Sequence, residues 1–143
     1  MANCIDVADY ILSEIGPTSA MKLQKLVYYS QAWHLVWEDK ALFRETIEAW
    51  ANGPVVPTLY KMHKGQFSLK PKFFGGKIEK LSEKNKSVID RVLKFYADKD
   101  SQWLSELTHL EEPWKLARQG LPEGERGART ITLESMSEYY GRI

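Results

Sequence analysis

The chain reads as a mainly α protein, a compact single-domain helical bundle over residues 1–143 with at most a small β element. Three observations lead there. Apolar residues recur at a spacing of about 3.6 in several separate segments, the period of a helix with one buried face. Those segments open on Asn, Ser or Thr and close on Gly or Pro, residues that cap and stop helices. Finally, 143 residues with 43% hydrophobic content suffice for one core and no more than one domain.

Taken in order, Asn3 caps a first helix whose stripe is Ile5, Ala8, Ile11, Leu12 and Ile15, and Gly16-Pro17 ends it. Thr18 or Ser19 caps the second, which runs to about Glu38. At 100° per residue it gathers Gln24, Gln31, His34 and Glu38 on one narrow arc, while Leu26, Tyr29, Ala32, Trp33, Leu35, Val36 and Trp37 fill the rest. Such breadth predicts a central helix touched from several sides. Phe43–Trp50 alternates partly and reads as a short strand, followed by an Asn52-Gly53-Pro54 turn. Pro57 suits the first turn of a third helix, where its missing N–H costs nothing, and Gly65 ends that helix. Residues 66–81 read as an irregular loop or weak hairpin. Ser82 caps a fourth helix, a fifth begins near Ser101, Pro113 opens a sixth that ends at Gly120, and Thr132 caps a short last one. Residues 120–130, rich in Gly and charge, are predicted to be a mobile loop.

Composition removes several function classes. A net charge of +1 gives no whole-protein case for a nucleic-acid partner. The single cysteine, Cys4, cannot pair internally, which places the chain by default in the reducing cytoplasm. No signal-peptide pattern and no membrane-length apolar run is visible, so no membrane partner is expected.

Little in the chain looks like reaction chemistry. His34, His63, His109 and Cys4 show no metal-ligand spacing, so no metal and no cofactor is expected. Cys4 sits at a helix start, where a thiol pKa can fall, but a small buried residue is as much at home there. There is no nucleophile elbow and no phosphate loop. The expected result is a protein without a catalytic residue. His109, between two helices, can bind a partner or satisfy loose carbonyls at a helix end, and the second role is the stronger reading. Lys22 and Lys25 fall on the apolar side of the second helix near Tyr29. Either they snorkel, or they meet an acidic partner in a groove open to solvent. Seven lysines between Lys64 and Lys86 form a basic segment, best read as a solvated loop.

Three phrases resemble a known family. Lys22-Leu23-Gln24-Lys25-Leu26-Val27-Tyr28-Tyr29, with Trp33 after it, looks like the opening of the Panacea domain of SocA-like antitoxins and GepA-type phage-associated proteins. The likeness continues through Trp50, Gly53-Pro54 and Pro57 to Leu59-Tyr60, and resumes at Thr108-His109 and Pro113-Trp114. The resemblance implies an antitoxin of a toxin–antitoxin system, common in prophages, that binds and neutralises a protein toxin. For the SocA branch it also implies delivery of that toxin to the ClpXP protease. It makes Leu23, Leu26, Trp33, Trp50, Gly53, Pro54, Pro57, Pro113 and Trp114 framework positions. Lys22, Lys25, Tyr29, Tyr60 and His109 are then the candidates for partner binding. A transcriptional regulator that binds nucleic acid, or a small hydrolase or transferase built on His109 or Cys4, are the alternatives.

Overall fold

A computed structural model describes all residues, 1–143. Seven α-helices and five short strands follow one another as α1 (Cys4–Ile15), β1 (Thr18–Ser19), α2 (Ala20–Glu38), β2 (Ile47–Trp50), β3 (Gly53–Val55), α3 (Pro57–His63), β4 (Ser68–Leu69), α4 (Glu83–Tyr96), α5 (Ser101–Leu110), α6 (Glu112–Ala117), β5 (Arg129–Ile131) and α7 (Leu133–Arg142). The protein is mainly α, as predicted. No helix is long and apolar enough to cross a membrane.

Helix α2 is the axis of the fold, and α1, α4, α5 and α7 all pack on it. Its N-cap is one of the two residues the sequence offers: Ser19 Oγ accepts from the Lys22 N–H. Asp39, which the sequence did not mark, closes the C-terminus in the left-handed region at φ 57°. Leu23, Leu26, Val27, Tyr28, Tyr29 and Ala32 are wholly or almost wholly buried. Gln24, Gln31 and His34 of the polar arc are buried as well, and Glu38 at its end is half-buried. Gln24 and Gln31, two turns apart, each act as a backbone surrogate for a chain segment running beside the helix. The Val56 N–H donates to Gln24 Oε1 at 2.8 Å, and Gln24 Nε2 donates back to the Val56 carbonyl at 3.3 Å. The Leu42 N–H donates to Gln31 Oε1 at 2.7 Å, and Gln31 Nε2 donates to the Phe43 carbonyl at 2.8 Å. His34 repeats the device with the Lys40 carbonyl and the Asn85 amide. Irregular backbone can lie against a core only if its amides are satisfied, and these side chains satisfy it.

Of the predicted Phe43–Trp50 strand only Ile47–Trp50 is strand; it forms a hairpin with Gly53–Val55, so Gly53 and Pro54 of the predicted turn lie in β3. Three other strand segments are not marked as strands by the sequence, and the weak hairpin considered for 66–81 is instead a pairing of β4 with β1. β1 pairs with β4, Thr18 opposite Leu69, and β5 adds to the outer edge of β2, Ile131 opposite Ile47. Segments of two or three residues are too short to show a period of two. The strand β5 also shortens the predicted 120–130 loop, because Arg129 and Thr130 lie in the sheet. Arg118 fastens the remainder: its guanidinium donates to the carbonyls of Ala49 (3.0 Å), Pro122 (3.3 Å) and Glu125. The sixth helix ends at Ala117, three residues before Gly120.

The 66–81 segment is held down by the first helix. Asp9 accepts the Phe74 and Gly76 N–H groups at 3.1 and 2.5 Å, and Asp6 accepts that of Lys77 at 2.7 Å. A side chain at residue 76 would place its Cβ 2.7 Å from the Ile5 carbonyl oxygen, so only glycine lets the loop lie this close.

Candidate functional site

The three sequence phrases converge on the side chain of Lys25. It leaves α2 toward the β2–β3 hairpin, is fully buried, and donates from Nζ to the Pro54 carbonyl at 3.2 Å. Gly53 lies against its stem at φ +123°; a Cβ there would stand 2.6 Å from Lys25 Cε and 3.1 Å from Thr108 Oγ1. One residue on, the His109 ring stacks on Trp114 with centroids 3.9 Å apart and planes at 13°. Trp114 Nε1 in turn donates to the Trp50 carbonyl at 2.8 Å, and Trp50 packs edge-on against Tyr60 at 4.8 Å. No carboxylate stands within ion-pairing distance of Lys25. Burial without a counter-charge disfavours the ammonium form and lowers its pKa from 10.5 to about 7.

On the opposite flank Glu111 is buried at the junction of α5 and α6. It ends one helix and begins the next, yet its carboxylate turns inward rather than capping either. Oε1 accepts from Tyr29 Oη at 2.6 Å and Tyr140 Oη at 2.7 Å, while the Tyr28 and Tyr140 hydroxyls share a bond of 3.0 Å. Burial pushes the Glu111 pKa up, and the two phenol donors pull it partly back. Desolvation first, then the neighbouring carboxylate, raises the Tyr29 phenol far above its usual range. This is a hydrogen-bonded core that ties α2, α5, α6 and α7 together.

The solvent-facing candidate is a trough of about 960 Å³ between α2, α4 and α5. Trp33 and Trp37 form one wall, Val92, Phe95 and Tyr96 the other, and Trp103 and Leu107 close the end, with Glu111 at the floor. Phe95 is 69% exposed and Trp103 43%, so the apolar surface is uncovered. Arg91 lies over the Trp37 ring at 3.8 Å, and Lys94 sits beside it on the lining. Neither cation has an ion-pair partner within the chain.

Of the sequence candidates, Lys25 and Tyr29 have no exposed surface, although Lys25 lies with His109 behind a polar surface pocket that also takes in Asn52, Ser105 and Glu123. Lys22 is half-buried and donates from Nζ to the Ala97 carbonyl at 2.5 Å, an internal strut to the end of α4. Tyr60 is half-buried beside Trp50. His109 does not hold a helix-end carbonyl as the sequence suggested. Its Nε2 is buried with no partner, its ring rests on Trp114, and burial lowers its pKa. Cys4 is fully buried, the second of the two readings its place at a helix start allowed, and burial followed by the nearby Glu45 pushes its thiol up to about 12. No three His, Cys, Asp or Glu side chains stand together as a metal-binding group. Among framework positions, Leu23, Leu26, Gly53, Pro54, Pro113 and Trp114 are buried, and Pro57 opens α3. Trp33 and Trp50 are only half-buried; Trp33 donates from Nε1 to Tyr96 Oη at 3.0 Å and borders the trough.

A family model described as "Antitoxin SocA-like, Panacea domain" matches residues 23–115. The chain belongs to this family. The matched stretch runs from the first turn of α2 to α6, so it contains Lys25, Gly53, Glu111 and every trough residue up to Leu107. No curated protein and no solved structure matches the chain.

Within this Panacea domain, two features escaped the sequence. Glu111 reads as a junction residue, although the tyrosines on apolar arcs at 28, 29 and 140 required an acceptor somewhere in the core. The trough is built from three helices distant in sequence, and no local pattern marks it.

Proposed function

We propose that this chain binds a protein toxin and neutralises it by direct contact, with no bond made or broken. Membership of the SocA-like antitoxin family carries the proposal. The uncovered aromatic trough supports it, since Trp, Phe and Arg are the side chains that anchor protein interfaces. The inert setting of Cys4, buried and with its thiol pKa raised, argues against a nucleophile there. A standard interface takes ~800 Å² from each partner, about a tenth of the 7732 Å² surface of this chain.

The test is co-expression with the product of each reading frame flanking the gene. One product should arrest growth alone, be tolerated with the chain, and co-purify with it. Toxin whose level falls only when an ATP-dependent protease is present would add delivery to proteolysis, the step implied for the SocA branch. Relief of arrest without a complex would count against neutralisation by contact.

A further inference from the structure

We infer that the trough between α2, α4 and α5 receives an amphipathic helix of the toxin whose apolar face is flanked by carboxylates. This rests on the proposed function and names the chemistry of the partner. The trough is lined by α2, α4 and α5 with Glu111 at the α5–α6 junction and Ile143, and no strand residue is on it, so an extended segment would find no sheet edge to pair with and would bury unpaired amides there. A helix satisfies its own backbone and offers side chains at i, i+3, i+4 and i+7 to such a groove.

The charge of the rim selects the flanks. Arg91 and Lys94 are exposed, lie one turn apart on α4, and have no intramolecular ion pair. Arg91 is spread over Trp37, which fixes its guanidinium at the lip with N–H donors free for a carboxylate. Two acidic groups reach the lining: Glu111, which already accepts from Tyr29 and Tyr140 and is 5% exposed, and the carboxylate of Ile143, which forms no ion pair with Arg91 or Lys94, so neither pairs off the cations of the rim. A second copy of this chain fits poorly. A two-fold contact would gather two basic lips in one interface without a free carboxylate side chain from either trough to pair with them.

The experiment uses the toxin identified by co-expression and the full chain. Arg91→Glu with Lys94→Glu should slow association about 10-fold or more, and wild-type association should slow with added salt. Phe95→Ala should speed dissociation by roughly 30-fold if it is an anchor; its exposure makes the variant a safe one to fold, which the melting temperature checks. Hydrogen exchange on the complex should protect one helical toxin segment, and Asp or Glu to Lys changes in that segment should restore binding to the Arg91/Lys94 variant. A complex formed and dissociated at wild-type rates by all these variants overturns the inference alone. So does protection of a basic or extended toxin segment, or a wild-type chain that buries the trough by self-association. Absence of any complex overturns the proposed function and this inference together.

Discussion

Replacing Gly53 with valine should cost about 3–5 kcal/mol of stability, from backbone strain plus a lost buried hydrogen bond. Two causes combine. At φ +123° an L-residue is strained whatever space surrounds it, and the added Cβ would stand 2.6 Å from Lys25 Cε. The lysine stem is flexible, but here it is fully enclosed, and shifting it breaks its bond to the Pro54 carbonyl. The two causes separate in a double-mutant cycle. On a Lys25→Ala background the clash with the lysine stem disappears, while the φ part and the 3.1 Å approach to Thr108 Oγ1 remain, so the coupling should be about 1 kcal/mol or more. Strict additivity in chemical denaturation would show that residues 25 and 53 do not restrain each other.

Lys25→Met should raise stability, and the gain should depend on pH. The fold lowers the lysine pKa from 10.5 to about 7. Below pH 7 the group is protonated in both states, and the native state bears the full cost of a buried charge. Between about 7 and 10.5 the unfolded chain holds the proton and the native chain does not, so wild-type stability rises with pH across that window. Methionine fills a similar volume and has no such slope. Allowing for the Pro54 carbonyl left without its partner, the variant should gain about 2–4 kcal/mol at pH 6. The gain should shrink steadily from pH 7 upward. A methionine variant less stable than wild type at pH 6, or a difference that ignores pH, would mean that the ammonium is compensated.

What the sequence makes legible follows from where each determinant lies. Caps are local, and Asn3, Ser19, Ser82 and Thr132 all accept the N–H bonds they were assigned. The width of the apolar face of α2 correctly marked it as central. The failures are non-local. Lys25 reads as a surface cation because the carbonyl that receives it lies 29 residues away. The side chains of Gln24 and Gln31 read as a polar arc, yet they dress two passing loop segments. Strands β1, β4 and β5 exist only through their partners. For surface features, the sequence drew attention to the side of α2 that carries Lys22, Lys25 and Tyr29, and left the trough unmarked. Lys22, Lys25 and Tyr29 bind within the fold, while the exposed aromatic surface comes from Trp33, Trp37, Phe95 and Trp103 together. The three phrases thus build the Lys25 junction, and the trough is made largely by side chains outside them.

Titrating purified toxin with the chain, and following both toxin activity and toxin mass, tests neutralisation by contact most directly. Activity should fall in proportion to the amount of chain added and reach its floor at a fixed stoichiometry. The toxin should keep its mass and regain activity once it is separated under denaturing conditions and refolded. Silencing by a small fraction of an equivalent, or a toxin returned with an altered mass, would show that the chain acts by catalysis and contradict the account.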